Sequence, residues 1–185
     1  MSPHNVLNVA AVYDRRVRNG GHRPPLQLFV LMLALVAAPY VRAEVKTGES
    51  FPPLAAAGLR GALPATAGKI VLVDFWASWC APCKASFPAY AKVHGDYAAR
   101  GLVIVAVSID EKAPDYDRFV KKLAPPFATL LDADQKLVRQ VVVPTMPTSY
   151  LIGRDGRVRF VHAGWHDDTE RELRKEIEIL LAEKN

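Results

Sequence analysis

The sequence predicts an α/β fold in which helices flank a mixed central β-sheet. Two apolar, β-branched runs at 70–76 and 102–109 lack the alternation of half-exposed strands, which indicates strands buried on both faces. A segment with helical periodicity follows each run, as expected of parallel strands joined by helices. Near the C-terminus, two shorter runs flank an Asp-Gly step that favours a tight antiparallel hairpin. The sheet should therefore contain both parallel and antiparallel pairs.

Two long helices are predicted after the two buried strands. The first runs from Cys80 to about residue 99, contains Pro88, which should kink it, and stops at Gly101. The second covers 114–124, where apolar residues recur at i, i+3, i+4 and i+7 before a pair of prolines. Each helix has an apolar side with which it can cover the sheet.

The rest of the chain is predicted to complete this architecture. Further strands are expected over 127–131, 148–152 and 157–162. Asp132 is expected to cap a short helix that ends near Gln140, and Asp167 with Glu170 resembles the capping box of a final helix. Residues 44–68 are rich in Pro, Gly and Ala, which predicts an irregular layer with at most one short strand or hairpin.

The composition is that of a globular protein with one core. Half of the 185 residues are hydrophobic, which excludes a disordered chain. The formal charge is +5, but residues 1–43 hold five Arg and one Asp, whereas residues 44–185 hold 19 basic and 18 acidic side chains. The basic character therefore lies in the first 43 residues, and we expect the folded part to bind no nucleic acid.

Residues 1–43 have the features of an export signal. Arginines precede an uninterrupted apolar run from Leu28 to Ala38, and the small-residue site Val41-Arg42-Ala43 follows. The run is shorter than the roughly 20 residues that a membrane-spanning helix needs, so we expect a signal peptide cleaved after Ala43, with an uncleaved anchor as the alternative. The predicted product is a periplasmic domain of residues 44–185, in an oxidising compartment where paired thiols form disulfides.

The chain has two cysteines, Cys80 and Cys83, where a buried strand gives way to a helix. A two-residue gap on a first helical turn brings the sulfurs within bonding distance, and the free N–H groups of the helix end stabilise a thiolate on the first cysteine. We expect Cys80 to be the exposed nucleophile that attacks a substrate disulfide. Cys83, deeper on the helix, would resolve the mixed disulfide.

Other uses of two cysteines fit less well. A structural zinc site needs four ligands, and His162 and His166 are far from the pair in sequence, so no metal is expected. Haem attachment needs a His after the second cysteine, where this chain has Lys84. A purely structural disulfide over two residues would constrain the unfolded chain little. The cysteines themselves would then be the redox centre, with no separate cofactor.

Two segments resemble the thioredoxin superfamily, and specifically its TlpA/ResA-type periplasmic branch. The first is the run 71–84, Val-Leu-Val-Asp-Phe-Trp-Ala-Ser-Trp-Cys-Ala-Pro-Cys-Lys, and the second is Pro-Thr-Met-Pro-Thr-Ser-Tyr-Leu-Ile at 144–152, followed by Gly-Arg-Asp-Gly. Pro88 also matches the helix proline of the family. The resemblance covers roughly residues 47–183 and implies a thioredoxin-like fold.

The resemblance also implies a substrate surface. Pro147 would be a cis-proline against the disulfide, with the backbone of Met146 free to pair with a bound peptide. Trp79 would line this surface, together with Ala81 and Pro82 between the cysteines. Met146 has no hydroxyl with which to stabilise the Cys80 thiolate, unlike the Thr of strongly oxidising relatives, which favours a reductant.

Asp74 lies inside the first buried strand, six residues before Cys80. An ionised carboxylate there would cost several kcal/mol, so we expect it to be protonated or partnered, with a raised pKa. In the family a buried acid at this position is thought to shuttle the proton of the second cysteine. A strand-end Asp turned to solvent is the alternative. Many branch members also carry a Glu three residues after the second cysteine, where this chain has Ser86, and this departure shifts the proton-transfer role onto Asp74.

These observations predict a periplasmic thiol–disulfide oxidoreductase that reduces disulfides of exported client proteins. Its electrons would come from a membrane thiol donor of the DsbD/CcdA type. A thiol peroxidase of the same fold is the enzymatic alternative, but the Pro-x-x-x-Thr-x-x-Cys pattern of such enzymes is missing before Cys80. A redox-inert binding module is the non-enzymatic alternative.

Overall fold

A computed structural model describes residues 44–183 of the chain. The predicted signal peptide, residues 1–43, lies outside the described residues. The strands are β1 Ile70–Trp76, β2 Leu102–Ser108, β3 Ala128–Leu131, β4 Thr148–Ile152 and β5 Val158–Ala163. The helices are α1 Ala81–Tyr97, α2 Ala113–Leu123, α3 Lys136–Val141 and α4 Thr169–Ala182, and short 3-10 turns lie at Leu54–Ala56 and Ala98–Arg100. The predicted strands and helices are confirmed to within a few residues.

The five strands form one sheet in the order β3-β2-β1-β4-β5. β1 is central, with β2 parallel on one side and β4 antiparallel on the other. β4 and β5 form the predicted antiparallel hairpin. The sheet is therefore mixed, and β1 carries Asp74 at the centre of the molecule.

Alternate residues of β1 enter two different cores. Leu72 and Trp76 pack with the inner sides of α1 and α4, in a cluster that also contains both cysteines. Val73 and Phe75 pack on the opposite face against α3 and the N-terminal segment. Both faces of β1 are buried, as the lack of hydrophobic–polar alternation in 70–76 predicted. Trp76, the last residue of β1, is fully buried.

The N-terminal layer is irregular, as expected. It contributes a 3-10 turn and two isolated bridges, in which Ser50 pairs with Arg157 and Arg60 with Leu131. These bridges attach the layer to the ends of β5 and β3, the two edge strands of the sheet.

Two helix starts differ from the sequence prediction. The capping box at Asp167 is wrong: α4 begins two residues later, after a turn closed by a bond from Thr169 N–H to His166 O, and the Oγ1 of Thr169 accepts from His166 N–H. Asp132 does cap α3, although from four residues before the helix. Its carboxylate accepts from the N–H groups of Lys136 and Val138, both at 2.9 Å.

Candidate redox site

The cysteines follow the C-terminal end of β1, the central strand of the sheet. Cys80 is the N-cap of α1, Cys83 is in its first turn, and their sulfurs form a disulfide with the Cα atoms 5.3 Å apart. The N–H of Cys83 points at the Cys80 Sγ at 3.3 Å. A negative charge that develops on Cys80 would therefore be met by a backbone donor and by the positive end of a 17-residue helix.

The two sulfurs differ in depth in the predicted order, but the site is less open than expected. Cys83 is fully buried, and Cys80 is only 5% exposed. Cys80 belongs to the same apolar cluster as Ala77 and Phe87, and this packing leaves only an edge of the residue accessible. Around that edge, Trp79 is 67% exposed and Ala81 and Pro82 are exposed as well.

The Met146-Pro147 bond is cis. Pro147 immediately precedes β4. The first residue of β4, Thr148, pairs with Phe75 near the C-terminal end of β1. The proline therefore lies at the same end of the sheet as Cys80. Pro147 is buried, and its carbonyl accepts from Gly164 N–H at 2.7 Å. Met146 is half-buried and packs against the cluster that contains the cysteines. Among the described residues, the backbone of Met146 makes no hydrogen bond.

Asp74 is completely buried, which excludes the alternative of a carboxylate turned to solvent. It faces α1, because it alternates with Val73 and Phe75 along β1. The hydroxyl of Tyr90 donates to its Oδ1 at 3.0 Å, whereas its Oδ2 has no partner in the described part of the chain. Burial raises the pKa of Asp74 to about 8, against a smaller lowering by the Tyr90 hydrogen bond. The carboxyl can therefore hold or release a proton near neutral pH.

Ser86 cannot take over the role of the acid that it replaces. It is buried one turn after Cys83, and its hydroxyl donates to the Cys83 carbonyl at 2.8 Å. A serine hydroxyl so engaged does not titrate in the neutral range. The buried carboxyl of Asp74 lies on the face of the sheet that carries Cys83 and is the candidate that remains for this role.

Asp110 supports the site, although none of the sequence motifs predicted this role. It follows β2, is 2% exposed, and accepts from Ser78 N–H at 3.0 Å, from the Ser78 hydroxyl at 2.8 Å and from the Ser108 hydroxyl at 2.7 Å. These bonds hold the loop between β1 and Cys80. Its position right after a buried strand parallel to β1 could have revealed it, because the carboxyl ends of parallel strands share one edge of the sheet.

The surface has one depression beside the redox site and another at the far end of the sheet. A groove of about 230 Å³ lies beside Trp79 and is lined by residues 109–112, Asp115 and Gln135. A larger cleft of about 370 Å³ lies at the opposite end of the sheet, next to Lys69 and Ile152. The larger cleft is therefore remote from the cysteines. No group of three His, Cys, Asp or Glu side chains within residues 44–183 is arranged to hold a metal ion.

The chain is similar to thiol–disulfide oxidoreductases named ResA. It is 35% identical to ResA of Bacillus subtilis over 97 residues, which cover 52% of this chain and 54% of that protein. The chain thus aligns with about half the length of the Bacillus relatives it matches. ResA of Geobacillus thermodenitrificans is 24% identical over a longer alignment, which covers 84% of this chain and 94% of that one.

Solved structures share the fold. A Chlorobium tepidum protein provisionally named thiol:disulfide interchange protein DsbE has a TM-score of 0.67 and 31% identity, with 75% of this chain and 100% of that chain covered. StoA from Bacillus subtilis has a TM-score of 0.53 and 24% identity, with 59% and 82% covered, and supports the fold. The predicted thioredoxin-like fold is confirmed. Residues 49–161 match the AhpC/TSA family over more than half of the chain, and the protein belongs to that family.

Proposed function

We propose that this protein is an exported thiol–disulfide oxidoreductase that reduces disulfides in client proteins. The observation that carries the proposal is the Cys80–Cys83 disulfide at the N-terminus of α1. It lies at the same end of the sheet as cis-Pro147. The names of the ResA relatives agree with this chemistry. Exposed Trp79 and the backbone of Met146, which makes no hydrogen bond within the described residues, would form the surface on which an extended client segment binds.

The reaction follows from the different environments of the two sulfurs. In the reduced protein, the Cys80 thiolate attacks one sulfur of a client disulfide, binds to it and expels the other client sulfur as a thiolate. Cys83 then loses its proton to Asp74, attacks the Cys80 Sγ and expels the second client sulfur. Two electrons pass to the client, whose thiolates take up two protons, and the protein ends in the oxidised state that the structure shows.

Asp74 is suited to that proton transfer by its burial. A carboxyl with an ordinary pKa would be a weak base near pH 7, whereas the raised pKa of Asp74 lies close to that of a thiol. Tyr90, its hydrogen-bond donor, is seven residues after Cys83 and therefore lies two turns along the same side of α1.

Export and electron supply complete the proposal. The signal-like sequence of residues 1–43 supports export to the periplasm, where a reductant would draw its electrons from a membrane thiol donor of the DsbD/CcdA type. Met146 before Pro147 presents no hydroxyl to a Cys80 thiolate, which supports electron flow towards clients. Between residues 44 and 183, no helix combines the length and the apolar character needed to cross a bilayer.

Reduction of insulin disulfides by the purified protein, with dithiothreitol as electron source, tests the proposed function. We expect faster precipitation of the insulin B chain than dithiothreitol alone produces. Acceleration of peroxide consumption without any effect on insulin would support the thiol peroxidase. No effect on either substrate would support the redox-inert binding module.

Replacement of Asp74 by Asn tests the proton-transfer role. The variant keeps the shape of the side chain but cannot accept the proton of Cys83, so we expect release of the client mixed disulfide to slow about 100-fold at pH 7. Asp96→Asn, which removes an exposed carboxylate from the same helix that carries the cysteines, is the control and should leave this step unchanged. Equal rates for Asp74→Asn and wild type from pH 6 to pH 9 would remove Asp74 from the mechanism.

A further inference from the structure

The Tyr90 hydroxyl has an unusual environment for a tyrosine. Tyr90 is 1% exposed, and its ring packs edge-on against Trp165, with the centroids 5.3 Å apart, and against Phe127 at 6.4 Å. Its hydroxyl is aimed into the core, where it donates to Asp74 Oδ1. The ring contacts alone would be served equally well by Phe.

Of the groups near Asp74 in the described residues, Tyr90 is the one that donates a hydrogen bond to it. The register neighbours of Asp74 in the sheet are Ala106 on β2 and Ser149 on β4. The other titratable groups on this face are Cys83, His94 and Tyr97 on α1, Tyr116 on α2, and the pair of His162 on β5 with Glu176 on α4, whose Nε2 and Oε2 are 2.7 Å apart. Within residues 44–183, the Tyr90 hydroxyl is the group that hydrogen-bonds to Asp74.

We propose that Tyr90 is a positioning residue for the proton transfer at Asp74. Its hydroxyl holds Oδ1 and fixes the plane of the carboxyl, which leaves the unpartnered Oδ2 to exchange the proton with Cys83. This inference rests on the proposed function, because it assigns Tyr90 a part in the resolving step.

The direction of the effect follows from the two influences on Asp74. Burial raises its pKa, and the hydrogen bond from Tyr90 lowers it by favouring the charged carboxylate. Loss of the hydroxyl removes only the second influence, so the pKa of Asp74 must rise further. A hydrogen bond to a charged group corresponds to a shift of about one pH unit, or about tenfold in proton affinity.

Tyr90→Phe is the direct test, because it removes the hydroxyl and keeps the ring contacts. We expect the Asp74 carboxyl, followed by ¹³C NMR in the oxidised protein, to titrate about one pH unit higher than in wild type. Tyr116→Phe is the matched control: it removes another inward hydroxyl, which bonds to Thr129 on β3, and should not move the Asp74 titration. An unchanged Asp74 titration in Tyr90→Phe would overturn the proposal. Tyr90→Leu, a second variant without the hydroxyl, must shift the titration in the same direction.

The rate at which the mixed disulfide is released, measured against pH, distinguishes a positioning role of Tyr90 from a purely structural one. In Tyr90→Phe, the pH midpoint for release of the mixed disulfide should rise together with the Asp74 titration, and the rate at pH 7 should fall about tenfold. In an Asp74→Asn background, Tyr90→Phe should change the rate less than twofold, because its effect passes through the carboxyl. Equal losses in both backgrounds would overturn the inference. An inactive wild type would instead refute the proposed function, and the NMR titration would still test the contact.

Discussion

Cys80→Ser is expected to abolish insulin reduction, with a rate no higher than that of dithiothreitol alone. A serine hydroxyl is not ionised near neutral pH and forms no mixed disulfide, so the first step of the reaction is lost. Cys80 occupies the N-cap of α1, and serine is itself a favourable N-cap residue, so the variant should remain folded.

Cys83→Ser should fail at the second step and accumulate a covalent intermediate. Cys80 can still attack a client, but the buried resolving sulfur is missing, so the client stays attached through a disulfide. Mass spectrometry of the non-reduced reaction should show one client mass added to the protein, at Cys80. An insulin-reducing Cys80→Ser variant, or a client attached to Cys83 in that variant, would contradict the assigned order of attack.

Asp74→Asn should stabilise the protein increasingly as the pH rises. The pKa of Asp74 is raised from 3.8 to about 8 in the folded state, so between these values the folded chain binds more protons than the unfolded chain. The free energy of unfolding of the wild type therefore falls as the pH rises through this window, by about 1.4 kcal/mol per pH unit from this group alone. At pH 7 the accumulated cost is about 4 kcal/mol, which the Asn variant does not bear.

Urea unfolding of wild type and variant at a series of pH values measures this effect. The difference in unfolding free energy should grow from about pH 4 to about pH 8 and stay constant above pH 8. Thr148→Val is the control. It removes a buried hydroxyl on β4, the strand next to β1, which donates to Thr145 O. Its difference in unfolding free energy from the wild type should not depend on pH. A pH-independent difference for Asp74→Asn would show that the pKa of Asp74 is not raised in the folded protein.

Much of the fold could be predicted because its signals are local. The lack of hydrophobic–polar alternation in 70–76 is a direct consequence of burial on both faces of a central strand, and the Asp-Gly step indicated the hairpin of β4 and β5. The capping box at Asp167 failed for a physical reason: the side chain that formed the local bond was that of Thr169, and several polar residues compete at such a helix start. The order of strands in the sheet depends on contacts between distant residues and is not encoded in any single pattern.

In the candidate site, too, the features with a local sequence signal could be predicted, and those that depend on contacts between distant residues could not. The Cys-x-x-Cys spacing and the strand before it locate the redox centre, and the burial of Asp74 follows from its place inside β1. The bond from Tyr90 to Asp74 joins residues 16 positions apart, and that from Ser78 to Asp110 spans 32 positions. Such pairs depend on how α1 and β2 pack against β1. The low exposure of Cys80 likewise arises from tertiary packing, which a motif cannot report.

The most direct test of the account is the alkylation of each thiol in the reduced protein. Iodoacetamide, added in slight excess at mildly acidic pH and followed by peptide mass spectrometry, should label Cys80 much faster than Cys83 and faster than free cysteine. The helix end and the Cys83 N–H favour the Cys80 thiolate, while Cys83 is fully buried. Labelling of Cys80 more slowly than free cysteine, or more slowly than Cys83, would contradict its role as the attacking nucleophile.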